Sequence, residues 1–569
     1  MVILTRFARY GAFGAAALSS AYFLRDEAKA FVGSKTSFDS SFSSSSTSFN
    51  DNFPRGKWDY NWDSRDPMSM VDEAKYEAAD AETRKEMLEK AKPTATRHIF
   101  LIRHGQYHTE SDIKNLTELG RQQASMCGER LAKSGFKFNA VTMSTMNRAT
   151  ETANLILAEL PKDIPIASDS VLEEGAPYPP EPPVAHWRPK QKKFFAEGSR
   201  IEAAFRKYIH RASKRQKEDS YEVIVCHANV IRYFICRALQ FPPEGWLRMS
   251  LGHSSITWLT IRPNGNVSIR SIGDIGHLPS EKSVMVILAR LTRYGAFGVA
   301  AVSSAYFLRQ EAKSFVGSKS SFQSSHSSNS PLFNDDFPRA KWNHNWDNRD
   351  PISMVDERKY NAADNETRNE MLEKATPKAI RNIFLIRHGQ YNTKSDVQNL
   401  TELGRQQASI CGERLAKSGF KFNIVTMSTM TRATETANLI LAELPKDISV
   451  ASDSILEEGA PYPAEPPSSR WRPKEAYFTQ GSRIEAAFRK YIHRAPTWQK
   501  EDSYEAIVCH ANVIRYFICR ALQFPPEGWL RMSLGHSSIT WVRIRPNGHV
   551  SIRSIGDIGH LPSEKVSFS

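Results

Sequence analysis

The chain says everything twice. MVILTRFARYGAFGAAALSSAYFLR at the start returns as MVILARLTRYGAFGVAAVSSAYFLR from Met285, and each later landmark recurs about 284 positions on. Arg103–Tyr107 (RHGQY) comes back as Arg387–Tyr391. The run IVCHANVIRYFICRALQFPPEGWLRMSLGHSSITW stands unchanged at Ile224 and at Ile507. Solenoid units span only about 20–50 residues, so this is duplication of a whole protein. A chain of 569 residues exceeds what one hydrophobic core serves, and the repeat divides it into 1–284 and 285–569.

Each copy has the same order of parts. The expected boundaries are an apolar anchor (1–30), a Ser-rich linker with a Trp motif (31–93) and a catalytic domain (94–284). They are followed by a second anchor-like segment (285–314), a second linker (315–377) and a second catalytic domain (378–569). The Ser-rich stretch after Ser34 lacks the apolar residues for a core and reads as a flexible linker. Pro67–Lys92 reads as a charged helical segment.

Within the catalytic domain strands alternate with helices. His98–Ile102, Ala140–Ser144 and Val223–Cys226 are short apolar runs that read as buried strands. Thr117–Lys133, Arg148–Leu160, Ile201–His210 and Val230–Leu239 read as helices. Ser255–Arg262 and Asn266–Ser271 flank Pro263-Asn264-Gly265 as a hairpin. The alternation predicts a layered α/β/α fold with a mostly parallel sheet, whose ligands bind beyond the carboxyl ends of the strands.

Four strand-to-helix turns bring chemistry to that edge. Arg103-His104-Gly105 follows the first strand, Ser144…Arg148 the second and His227 a later one, while Leu172-Glu173-Glu174-Gly175 precedes the Pro-rich loop 176–183. Two Arg, two His and a carboxylate suit phosphoryl transfer. Guanidinium forks match phosphate oxygens, a neutral imidazole can attack phosphorus, and a carboxyl of raised pKa can protonate the leaving oxygen. Gly105 is expected to let the backbone approach the phosphate. No CxxC pair or metal-ligand cluster is visible, so neither a metal nor a cofactor is expected. The six cysteines, three per copy, read as buried free thiols of a reducing compartment. A net charge of +14, with basic residues scattered among acidic ones, argues against nucleic acid as a partner.

The order RHGQ, Ser-x-x-x-Arg, L-x-E-G and a late strand-His resembles the histidine phosphatase, or phosphoglycerate mutase-like, superfamily. Together with SYE-x-I-x-CHANVIRY, RALQFPPEGWLR and WDxNWD, it is similar to the mitochondrial serine/threonine-phosphatase branch of that superfamily. The resemblance implies a phosphohistidine at His104 and at His388. It implies a phosphoryl clamp of Arg103, Arg148 and His227 in copy one, and of Arg387, Arg432 and His510 in copy two. Glu174 and Glu458 would be the proton donors. Where the superfamily has His-Gly after the late strand, this chain has His227-Ala228 and His510-Ala511; members of the resembling branch share the alanine.

The resemblance further implies phosphorylated protein substrates, anchoring in a mitochondrial membrane, the outer one first, and homo-oligomers built through WDxNWD. The motif residues are Trp58, Asp59, Asn61, Trp62 and Asp63, repeated as Trp342, Asn345, Trp346 and Asp347, with Asn343 in place of Asp59. Its tryptophans, beside a linker, are expected on a partner's surface; packing onto their own domain is the alternative. Tyr10–Leu24 holds 15 uncharged residues between arginines, short of the roughly 20 of a full span. It fits an anchor better than a secretory signal or a buried helix. If Tyr294–Leu308 also spans, the two domains face opposite sides; a conceptual fusion of two adjacent genes, each giving a half-length product, avoids this. A phosphoglycerate mutase or small-molecule phosphatase, and a catalytically silent scaffold, are the competing functions.

Overall fold

A computed structural model of the chain describes residues 57–184, 189–283, 341–468 and 474–568. The apolar segments around Tyr10–Leu24 and Tyr294–Leu308 and both Ser-rich linkers lie outside the described residues. Among the described residues no helix is long and apolar enough to cross a membrane.

In copy one the strands are β1 (Arg97–Arg103), β2 (Ala140–Met143), β3 (Ile166–Ser168), β4 (Ser220–Cys226), β5 (Ile256–Ile261) and β6 (Val267–Asp274). In copy two they are β7 (Arg381–Arg387), β8 (Ile424–Met427), β9 (Ser449–Ser452), β10 (Ser503–Cys509), β11 (Ile539–Ile544) and β12 (Val550–Asp557). Strands β1 to β4 are mutually parallel, and β5 and β6 close the first half as an antiparallel hairpin, as β11 and β12 close the second. The first six residues of β1 are buried; Ile99–Ile102 form its apolar run, and the buried Arg97 is paired with Glu222. Helices cover the sheet: α1 (Glu118–Ala132), α2 (Asn147–Glu159), α3 (Gln191–Tyr208) and α4 (Ala228–Ala238) in copy one. Thr117 caps α1, its hydroxyl accepting from the Gly120 amide at 3.0 Å. Cys127 and Leu131 on α1 and Ile156 on α2 pack with Phe100, Ile102, Val141 and Val223 of the sheet. Burying each such side chain contributes about 1.5–3 kcal/mol. All six cysteines are buried free thiols.

Two sequence expectations need adjustment. The segment 67–92 is not one helix but a short turn followed by helices Glu73–Ala78 and Ala81–Ala91. Asp72 and Asp80 cap these two helices and so restart the chain each time. Helix α3 begins ten residues earlier than expected, because the lysines and paired phenylalanines of QKKFF carry no clear helical period.

The two copies share one twelve-stranded sheet, ordered β3-β2-β4-β1-β5-β6-β12-β11-β7-β10-β8-β9. β6 and β12 meet antiparallel, with Ile272 opposite Ile555. Around this seam several contacts are made twice. Arg130 donates to Leu561 O and Arg414 to Leu278 O, both at 2.7 Å. Arg248 donates to Leu522 O at 2.8 Å and Arg531 to Leu239 O at 2.7 Å. Phe241 and Phe524 stack with centroids 4.6 Å apart.

The Trp motifs straddle the seam. Trp58 is buried, its amide donating to Glu465 Oε1 at 3.0 Å and its ring 5.0 Å from the Arg531 guanidinium, both in copy two. Trp342 does the same on Glu181 and Arg248 of copy one. The second tryptophan stays home: Trp62 Nε1 donates to Gly265 O at 2.9 Å and Trp346 Nε1 to Gly548 O at 2.8 Å. Asp63 and Asp347 form buried pairs with Arg211 and Arg494 of their own copies. Asp59 and Asn343 each accept from the amide two residues on, Asn61 or Asn345, so the loss of charge leaves this turn intact.

At the seam Asp274 accepts from the Ile558 amide at 3.1 Å and Asp557 from the Ile275 amide at 3.2 Å. Burial first, and the Asp557 carboxylate second, push the Asp274 carboxyl up to about 8, so the pair shares one proton. Arg130, Arg414, His277 and His560 surround the pair, and burial holds the His277 imidazole neutral, down to about 4. A raised folded pKa gives stability that is complete below the usual aspartate range and is lost as pH rises through about 8. Asp274→Asn keeps a donor and an acceptor while removing the second charge. It should raise the melting temperature at pH 9, by about 1–3 kcal/mol in stability, and do little at pH 5. A gain equal at both pH values would contradict the shared proton.

Candidate active site

The carboxyl ends of β1, β2 and β4 point the same way, and the residues that follow them converge. His104 follows β1 and is buried. Its Nδ1 lies 2.8 Å from Gly105 O, so Nδ1 carries the proton and donates it. Nε2 then holds the lone pair, and Arg148 Nε, from the first turn of α2, donates to it at 3.2 Å. Burial, then the charge of Arg103, hold the imidazole pKa well below its usual value. The ring is thus neutral, with its nucleophilic nitrogen turned toward a guanidinium.

His227 caps the start of α4. Its ring sits 5.1 Å from that of His104, and its Nε2 lies 2.8 Å from Ser144 Oγ. Burial, with Arg148 next, keeps it neutral as well. Its buried Nδ1 has no hydrogen-bond partner. The N-termini of α2 and α4 both open here, adding positive partial charge. Arg103 is held from behind: Nη1 donates to Leu251 O at 2.5 Å, and Nη2 lies 3.0 Å from His253 Nε2. Burial lowers its guanidinium to about 10, still charged at neutral pH.

Glu174 sits past the turn Ser170–Leu172, and burial raises its carboxyl pKa while Arg232 opposes the rise most. Its loop is tied down: Arg200 donates to Glu174 O at 3.1 Å and Asn229 to Gly175 O at 3.0 Å. The neighbouring acids are engaged elsewhere. Glu173 accepts from Thr145, and Glu151 accepts from the Leu116 amide at 2.7 Å. Copy two repeats the site. Arg432 Nε is 3.3 Å from His388 Nε2, His510 Nε2 is 2.9 Å from Ser428 Oγ, and Arg387 Nη2 is 3.0 Å from His536 Nε2. Glu458 is likewise raised by burial.

The structure therefore gathers His104, Arg103, Arg148, His227 and Glu174 in one place, and their five counterparts in another. Gly105 has a reason other than the expected one. A Cβ there would collide with the Gly120 carbonyl, so chain packing demands the glycine. Sequence reasoning missed His253 and His536, which lie in an unpatterned stretch, and Arg232 and Arg515, whose position on an apolar helix face was the available signal. Among the described residues no three His, Cys, Asp or Glu side chains form a metal-binding group.

The sequence pattern of the histidine phosphatase superfamily (branch 1) matches residues 99–274 and 383–557. The chain belongs to the histidine phosphatase superfamily. It is 66% identical over 235 residues to "Serine/threonine-protein phosphatase Pgam5, mitochondrial" of Caenorhabditis briggsae, covering 41% of this chain and 83% of that protein. It is 53% identical over 231 residues to the human protein named PGAM5, covering 40% and 80%. Among solved structures, Plasmodium falciparum phosphoglycerate mutase aligns at 34% identity, covering 32% of this chain and 92% of that one, with a TM-score of 0.24.

The two shifted groups predict the pH profile. Activity should persist on the acid side well below the usual histidine range, because His104 stays neutral there. On the alkaline side it should fall through a pKa above the usual carboxylate range, set by Glu174 and Glu458. Glu174→Gln with Glu458→Gln should slow alkyl phosphates about 10²–10⁴-fold and spare p-nitrophenyl phosphate, whose leaving group needs no proton. Steady-state rates on both substrates check this; equal losses would remove Glu174 from the acid role.

Proposed function

We propose that this chain is a mitochondrial protein serine/threonine phosphatase with two active sites, each working through a phosphohistidine. The observation that carries the reading is a neutral His104 whose Nε2 accepts from Arg148, with His227 and the charge of Arg103 beside the ring, an arrangement built again around His388. The names of relatives at 53–66% identity supply the substrate class and the organelle.

In the proposed reaction, His104 Nε2 attacks the phosphorus of a phosphoserine or phosphothreonine. The bond to the side-chain oxygen breaks, and Glu174 gives that oxygen its proton. Arg103 and Arg148 hold the phosphoryl oxygens as charge moves onto them. Water then attacks the phosphohistidine, Glu174 takes a proton back, and inorganic phosphate leaves with His104 restored. Neutral His227 donates to the phosphoryl group from the far side, exchanging its Ser144 contact for one with phosphate.

Anchoring through the apolar segments, in the outer membrane first, and assembly through WDxNWD belong to the proposal. The contact of Trp58 with Arg531 supports the second: a tryptophan that crosses between copies within a chain can make the same contact between chains. Light scattering should then show particles larger than one chain, reduced by Trp58→Ala with Trp342→Ala.

The decisive experiment is turnover of phosphoserine peptides by the full chain. His104→Ala together with His388→Ala should abolish it while circular dichroism stays unchanged. Acid-labile, base-stable phosphate should map to those two histidines in the parent. Turnover confined to small phosphomonoesters, or persisting in the folded double variant, would overturn the reading.

A further inference from the structure

The two active sites share the His, Arg and Glu residues described above, yet they are braced differently. In copy two, His536 receives Arg387 on Nε2 at 3.0 Å. Arg387 can only donate, so Nε2 is unprotonated and the ring's single proton sits on Nδ1. That Nδ1 lies 2.8 Å from Ser567 Oγ, and the His536 amide donates to Ser567 O at 3.0 Å. The same Ser567 hydroxyl accepts from Gln407 Nε2 at 2.9 Å, and Gln407 Oε1 accepts from the Gln390 amide at 2.9 Å, two residues beyond His388. A serine outside every motif thus closes a hydrogen-bonded ring behind the phosphate-gripping arginine.

The next residue fixes the serine in place from across the seam. The Phe568 ring lies 4.3 Å from the Arg270 guanidinium and meets the Trp258 indole edge-on at 5.9 Å, both in copy one. In copy one the position matching Ser567 is Val284, whose side chain offers no hydroxyl. His253 still receives Arg103 at 3.0 Å, but it is part-exposed where His536 is buried. Gln398 adds to the asymmetry: its Oε1 accepts from Arg432 at 2.6 Å, and copy one has Lys114 at that position.

We infer that Ser567, acting through His536, is a positioning residue for the phosphate clamp of copy two alone, and that Phe568 docked on copy one holds it there. The inference rests on the phosphate-gripping role given to Arg387. An arginine whose backing histidine is locked in one tautomer and one orientation meets phosphate without first being ordered. The grip should therefore be tighter in copy two than in copy one.

Silencing one site at a time in the full chain tests this. With His104→Ala in place, remaining turnover reports copy two. There Ser567→Ala should raise KM roughly three- to tenfold, as expected for one lost hydrogen bond, with kcat little changed. Phe568→Ala should act in the same direction. His536→Leu should cost more, and His536→Gln should recover part of that loss, since its amide oxygen can still accept from Arg387. With His388→Ala instead, Ser567→Ala should leave copy one unchanged. Inorganic phosphate, titrated by calorimetry into the same variants, gives a readout that does not depend on the substrate assignment: copy-two affinity should fall and copy-one affinity should not. An unchanged phosphate affinity and KM in folded Ser567→Ala, or equal losses in both copies, would overturn the proposal.

Discussion

Two buried carboxyl groups, each accepting a backbone amide across the middle of a sheet, set the terms for the rest of the molecule. Asp274 and Asp557 end the strands that join the halves, and each accepts a backbone amide from the other half. Two ionised carboxylates in that place would repel where there is no water to screen them, and burial together with the Asp557 carboxylate raises the Asp274 carboxyl pKa accordingly. From the seam the geometry runs outward to the chemistry. Ser250 donates its amide to Ile552 across the seam at 2.8 Å, and the carbonyl of the next residue, Leu251, holds Arg103. Ser533, Leu534 and Arg387 repeat the arrangement from the other side. The arginine expected to grip phosphate is thus one residue removed from the contact between the copies.

Much of this was legible in the sequence because the functional residues follow buried strands. β1, β2 and β4 carry short apolar runs, and the residue after such a strand in a parallel sheet falls at the ligand-binding edge. That places His104, Ser144 and His227 without further information. The partners of Arg103 could not be read this way. Leu251 and His253 come from a loop nearly 150 residues later, and nothing in RMSLGHSS has the period of a helix or strand. The fusion of two sheets was hidden for another reason. β6 alternates no differently from an ordinary inner strand, and an edge that pairs with a second copy has no signature of its own. The roles within WDxNWD split for a geometric reason: Trp62 reaches the Gly265 turn of its own hairpin, while Trp58, four residues earlier, has passed beyond it.

Differences between the copies show which features of a side chain the fold uses. His98 Nδ1 accepts from Trp258 Nε1 at 3.3 Å, and Asn382 Oδ1 accepts from Trp541 Nε1 at the same distance. Glu197 accepts from the Ala176 amide at 2.6 Å, and its replacement Gln480 accepts from Ala460 at 2.7 Å. Asp59 and Asn343 follow the same rule. In each case charge or ring is exchanged while an acceptor stays in position for the same donor. The exchange of Val284 for Ser567 in the sequence breaks the rule, and Ser567 stands beside the copy-two active site.

The continuous sheet has a consequence for how such differences accumulate. A seam between separate molecules opens on dilution and pairs whatever partners diffusion supplies. Here both edges belong to one polypeptide, so closure is intramolecular and independent of the amount of protein present. Within the shared sheet of one chain, each half meets the same, slightly different half. Like-with-like pairs within one molecule never arise, and a change that helps one half only in the company of the other is inherited together with its partner.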